Sequence, residues 1–125
     1  MSCVLIAEDD ILTSVLITSI VESEGHKAFH AKNGLIALEA TEKYHFDLIF
    51  MDIQMPGMDG LEVLKTLKEN NATSSIPVIA FTASIKGNND REFYLKAGFS
   101  EYLFKPVYVD KLREVIGKYL SSSEV

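Results

Sequence analysis

Residues 47–60 read Asp47-Leu48-Ile49-Phe50-Met51-Asp52-Ile53-Gln54-Met55-Pro56-Gly57-Met58-Asp59-Gly60. The run Leu48–Met51 is apolar at every position, so neither of its faces suits water. Strands covered by helices on both sides have that composition, which marks a parallel sheet inside an α/β domain. The run stops at Asp52. Seven residues on, Asp59 followed by Glu62 has the spacing of a capping box, which opens a helix.

The same alternation continues in both directions. Short apolar runs recur at Cys3–Ala7, Lys27–Ala31, Val78–Phe81 and Tyr102–Phe104, with helical spacing between them. Leu12, Val15, Leu16, Ser19 and Ile20 form one stripe, and Leu112, Val115, Ile116, Tyr119 and Leu120 form another. Gly60, Val63, Leu64 and Leu67 make a third. Ile36, Ala37, Ala40 and Tyr44 are a smaller-residue stripe, and Glu92–Ala97 is a short, weak helix. Gly25 and Gly98 suit helix ends. Lys27–Ala31 alternates, with His26 just before it sharing a polar face with Ala28 and His30, which predicts an edge strand. Five strands alternating with five helices imply right-handed parallel crossovers. The expected fold is a three-layer, doubly wound, five-stranded (βα)5 domain. A single unit over residues 1–121, followed by a serine-rich tail at 122–125, accounts for the 125 residues.

Composition narrows the function. The 47% apolar content is enough for a core, while no apolar run approaches the ~20 residues of a membrane span. The start of the chain shows no secretory leader pattern. The single cysteine, Cys3, excludes an internal disulfide framework, suits a cytoplasmic location, and reads as a small buried thiol. The net charge of −6 argues against nucleic-acid binding through a broad basic surface. Charge is unevenly spread: residues 1–62 hold 3 basic and 11 acidic side chains, whereas residues 63–125 hold 9 and 7. Crowded acids in the first half direct attention to a cation.

In open parallel sheets, reactive groups gather at the carboxyl ends of the strands. Here those ends are Glu8-Asp9-Asp10, Asp52, Thr82 and Lys105-Pro106. Two like charges ~4 Å apart cost about 4 kcal/mol at an effective dielectric of ~20. A hard divalent cation removes that cost, and magnesium favours carboxylates together with water and phosphate oxygens. Asp10 reads as a helix cap. Capping accounts for no more than one of Glu8, Asp9 and Asp52.

Four segments in this order carry a family resemblance: Ile6-Ala7-Glu8-Asp9-Asp10; the 47–60 stretch; Pro77-Val78-Ile79-Ala80-Phe81-Thr82-Ala83; and Ala97-Gly98-Phe99 leading to Tyr102-Leu103-Phe104-Lys105-Pro106. Over essentially its whole length the chain resembles the receiver domain of two-component response regulators, which implies the flavodoxin-like strand order 2-1-3-4-5. The resemblance implies that Asp52 takes a phosphoryl group from a histidine kinase or a histidine phosphotransfer protein. It implies magnesium on Asp9, Asp52 and the Gln54 backbone carbonyl, with Glu8 acting through water. Lys105 would pair with Asp52 and then with a phosphoryl oxygen. Thr82 would hydrogen-bond another, small Ala83 would leave room for the group, and Tyr102 would turn inward as Thr82 moves. A cis bond before Pro106 would aim Lys105 at the rim. Output would pass to a downstream protein through the fourth helix, fifth strand and fifth helix, where Lys86 to Lys118 holds most of the basic residues. A homodimer is left open, as is origin within a larger regulator or hybrid sensor kinase. Direct contact with nucleic acid or membrane is not expected.

Other readings fit less well. An aspartyl-nucleophile phosphohydrolase would want a second Asp two residues after the first and a cap domain. A receiver-like module without phosphorylation would not need the complete set Glu8, Asp9, Asp52, Thr82 and Lys105. A flavin carrier would be repelled by Glu8-Asp9-Asp10 at its phosphate loop. The Asp52–Gly57 stretch lacks the distal glutamate of a calcium loop. His26 and His30 lack a third ligand.

Overall fold

A computed structural model describes residues 2–55, 57, 59–82 and 90–120. Ala83, Pro56, Met58, Lys86 and the expected tail at 122–125 lie outside the described residues. The elements alternate as β1 (Cys3–Ala7), α1 (Ile11–Ser23), β2 (Lys27–Ala31), α2 (Gly34–Lys43), β3 (Leu48–Asp52), α3 (Gly60–Glu69), β4 (Val78–Thr82), α4 (Asp90–Ala97), β5 (Glu101–Phe104) and α5 (Val109–Tyr119). All strand pairs are parallel, in the order β2-β1-β3-β4-β5. β2 is an edge strand, as its polar face predicts.

Strand alternation divides the core into two layers. Val4, Ile6, Leu48, Phe50, Ile79, Phe81 and Leu103 face α1 and α5, meeting Ile17, Ile20, Val21, Leu112, Val115 and Ile116. Leu5, Ala7, Ile49, Met51, Val78, Ala80 and Tyr102 face the other way, against Ala37, Ala40, Val63, Leu64 and Leu67. Every residue of β3 and β4 is buried, which explains the unbroken apolar runs Leu48–Met51 and Val78–Phe81. Fully burying one such side chain stabilises the fold by roughly 1.5–3 kcal/mol.

Caps set the entry of the helices. Asp10 accepts the Thr13 N–H at the start of α1, and Asn33 accepts that of Ile36 at the start of α2. Asp59 and Glu62 complete the capping box of α3. Gly25 and Gly98, with φ of 89° and 124°, turn the chain after α1 and α4.

α1 differs from its sequence stripe. Its buried positions are Ser14, Ile17, Ile20 and Val21. Leu12 and Val15 are 80% and 55% exposed, together with Ile11 and Leu16. At about 100° per residue the two sets lie on opposite sides of the helix. Both sides are apolar, so periodicity alone does not choose which one meets the sheet. Cys3 is half-buried rather than enclosed.

Candidate functional site

The ends of β1, β3 and β5 converge on one acidic cluster. Glu8 follows β1, and its backbone N–H is fixed by the carbonyl of Ala31 at 2.9 Å. Its Oε2 accepts the Asp10 N–H at 2.9 Å, while Oε1 lies 2.7 Å from Lys105 Nζ. Asp52 closes β3. Its Oδ1 accepts the Gln54 N–H at 2.9 Å, and its Oδ2 accepts from Lys105 Nζ at 3.1 Å. One ammonium therefore spans carboxylates from two other strands. Glu8 and Asp52 are buried, whereas Asp9 is exposed beside them.

Ligand oxygens of Glu8, Asp9 and Asp52 all lie within 4.8 Å of one another. Glu8 and Asp52 share one ammonium with exposed Asp9 close beside them, so the cluster carries an excess of negative charge. Burial, and then the neighbouring Asp52, push the Glu8 carboxyl from the ordinary 4.5 up to about 8; Lys105 offsets only part of that rise. For Lys105, burial pulls the ammonium down, but its bonds to Glu8 and Asp52 prevail and raise it. The all-oxygen donor set suits a hard divalent cation such as magnesium.

The other described residues of the expected set lie on β4, on β5 and in the loops that follow β3 and β5. Thr82 ends β4, is buried, pairs in register with Phe104, and its carbonyl accepts the Lys105 N–H at 2.8 Å. The Lys105–Pro106 bond is cis. Gln54 is exposed in the loop after Asp52. Tyr102 is inward, with 2% of its surface exposed. Ala83 is outside the described residues.

Sequence reasoning missed two supports of the site. His30 Nε2 lies 2.7 Å from the Glu8 carbonyl oxygen, so the protonated nitrogen donates to the backbone that carries the acid. His26 serves elsewhere, accepting the Ser2 N–H. The alternation of β2 hinted that the two share a face, but not that each serves the backbone. Gly60 is the second. Its N–H donates to the Ile53 carbonyl at 3.0 Å, and an added Cβ would come within 2.9 Å of backbone atoms of Asp52 and Ile53. Only glycine lets α3 start so close to the end of β3.

A doubly wound domain with this rim defines the receiver class of two-component signalling. Residues 4–117 match the family model described as the response regulator receiver domain, and the chain belongs to that family. Among curated relatives, the polar-differentiation response regulator DivK of Brucella ovis is 39% identical over 121 residues, covering 96% of this chain and 97% of that protein. A Francisella response regulator receiver domain is 30% identical with a TM-score of 0.86, covering 95% of this chain and 96% of its own. The receiver domain of a sensor histidine kinase from Pseudomonas aeruginosa, solved with magnesium coordinated in its active-site cleft, is 26% identical with a TM-score of 0.84. That match covers 94% of this chain and 96% of the other. Its response regulator relatives are signalling switches. Among the described residues, no helix is long and apolar enough to cross a membrane.

Proposed function

We propose that Asp52 is the phosphoacceptor of a two-component phosphorelay, within a receiver unit spanning 1–121 and ending in a tail at 122–125. The carrying observation is the Lys105 ammonium set between Glu8 and Asp52 beside a three-carboxylate cluster. A carboxylate oxygen of Asp52 attacks the phosphorus of a phosphohistidine on a kinase or phosphotransfer protein. The P–N bond breaks as the P–O bond of an acyl phosphate forms, and the imidazole leaves as the neutral ring, taking the P–N electron pair and keeping the proton already on its other nitrogen. Magnesium, when bound, neutralises charge on the phosphoryl oxygens.

Asp9, Asp52 and the Gln54 carbonyl would hold that ion, with Glu8 acting through water. Lys105 exchanges its bond to Asp52 for one to a phosphoryl oxygen. Thr82 binds a second such oxygen, and Ala83 leaves space for it. The chain acts in the cytoplasm as a switch rather than a turnover enzyme. It signals to a downstream protein through α4, β5 and α5, with Tyr102 and Thr82 linking the rim to that face.

The exposed apolar face of α1 supports the phosphodonor assignment. Ile11, Leu12, Val15 and Leu16 begin two residues after Asp9, so a partner helix seated there is held beside Asp52. Acetyl phosphate with magnesium should add one phosphoryl group, mapped to Asp52 by intact-mass and peptide analysis. A label on Ser, Thr or His, or one that survives Asp52→Asn, overturns the assignment.

A further inference from the structure

α4 grips β5 at Tyr102 through both ring and backbone. The ring of Tyr94 stacks on that of Tyr102, with centroids 5.2 Å apart and planes 13° from parallel. Arg91 Nη1 donates to the Tyr102 carbonyl at 3.1 Å, and Nη2 lies 3.9 Å from Glu101 Oε1. Glu101 is buried and is held from the other side by α5, where Lys118 Nζ donates at 2.6 Å and the Tyr119 hydroxyl at 3.0 Å. α4 and α5 thus share one anchor on β5.

The Tyr102 ring is also enclosed at its edge. Phe104 meets it at 5.2 Å and 80°. Tyr94 is itself held edge-on by Phe93 at 5.0 Å and by Phe99 at 6.0 Å. Such offset and edge-to-face arrangements are the favoured ones for aromatic pairs. Among the described residues, Tyr94 and Phe104 are the rings packed against Tyr102, so leaving its inward seat breaks the Tyr94 stack. Tyr102 holds the seat while the Asp52 carboxylate is paired with Lys105.

We propose that Tyr94 and Arg91 are positioning residues that keep Tyr102 inward before phosphorylation, so that the α4–β5–α5 face is preset for its partner. The proposal rests on Asp52 as phosphoacceptor, and gives Tyr102 the part of holding the face in place rather than of reporting the state of Asp52 to it. A modification shifts an equilibrium only by its differential effect on the two states. Where the inward state already dominates, phosphorylation has little of the Tyr102 equilibrium left to shift.

The test uses the full chain labelled with 3-fluorotyrosine, with the Tyr102 line assigned through Tyr102→Phe. Solvent shielding of that line is read with and without magnesium and beryllofluoride, a phosphoryl mimic. In the wild type it should be shielded and change little on addition. Tyr94→Ala should raise the outward fraction of Tyr102 by roughly three- to tenfold, the worth of one aromatic pair, and beryllofluoride should reverse the rise. Tyr94→Phe keeps the stack and should behave as wild type. Arg91→Ala should give a smaller rise and serves if Tyr94→Ala does not fold. Lines from Tyr44 and Tyr108 should not move.

Equal shielding in Tyr94→Ala and Arg91→Ala overturns the proposal. So does a wild-type ring that becomes shielded only with beryllofluoride. Failure of acetyl phosphate to label Asp52 instead removes the phosphoacceptor reading, while shielding in the unmodified variants still decides the latch.

Discussion

A Cβ placed on Gly60 would lie 2.9 Å from the carbonyl oxygen of Asp52, closer than real Cβ contacts come. Both partners are backbone, so neither has a side chain to swing away. Gly60→Ala should therefore push α3 from the end of β3 and cost about 1–3 kcal/mol, the usual range for overpacking. Acetyl phosphate labelling of the folded variant should slow as well, because Asp52 shares the displaced backbone. Thermal unfolding and labelling rates measure the two effects. Wild-type values in both would mean that the loop relaxes at no cost.

The raised Glu8 carboxyl makes stability depend on pH in a defined direction. The folded protein holds this proton more tightly than the unfolded chain, so the group's contribution is complete below about pH 4.5. It is lost as pH rises toward about 8. Glu101 acts the other way: its bond to Lys118 lowers its carboxyl against the opposing effect of burial, so its contribution is lost on acidification below 4.5. Between pH 5 and 8 the metal-free protein should lose stability, and Glu8→Gln should flatten that slope. Added magnesium should recover roughly 2.7 kcal/mol at a hundredfold excess over its Kd. Thermal unfolding across this range checks all three, and a slope that persists in Glu8→Gln assigns it to another group.

Asp52→Asn separates a carboxylate kept for chemistry from one kept for structure. The amide oxygen can still accept the Gln54 N–H, and Lys105 keeps its contact with Glu8 at 2.7 Å. What disappears is a charge that helps keep the Glu8 carboxyl protonated, so Glu8 can ionise against Lys105 in its place. The variant should be at least as stable as wild type without magnesium, and should gain less from the ion. A loss of more than ~1 kcal/mol in metal-free unfolding would mark Asp52 as a satisfied structural group.

The strands were legible because burial on both faces leaves a continuous apolar run, as at Leu48–Met51 and Val78–Phe81. The rim was legible for a related reason, since each run ends in a polar residue that apolar packing does not require. Asp59 and Glu62 also announced their helix, because a capping box is local. What escaped depends on contacts distant in sequence. His30 meets the carbonyl of Glu8 22 positions away. Tyr94 covers Tyr102 from a helix whose sequence shows only a weak stripe. α1 escaped for a different reason: with apolar residues on opposite sides, only the neighbouring β2, β1 and α5 decide which side is core.

That second apolar side of α1 yields the most discriminating prediction for partner recognition. Leu12 is 80% exposed and Val15 55%, so neither contributes much to the core. Their replacement by polar residues should change stability by less than ~0.5 kcal/mol, as for ordinary surface sites. A small phosphodonor approaches Asp52 without touching this helix, whereas a protein donor has to rest on the surface around the rim. Leu12→Asp and Val15→Asp should leave acetyl phosphate labelling of Asp52 unchanged. Transfer from a phosphorylated histidine phosphotransfer protein should fall about tenfold or more, the scale for losing an apolar interface anchor. The deficit should lie in donor concentration dependence rather than in the maximal rate, because the reacting groups are untouched. Equal loss with both donors would place the effect in the site itself. Unchanged transfer from the protein donor would move the docking surface off α1.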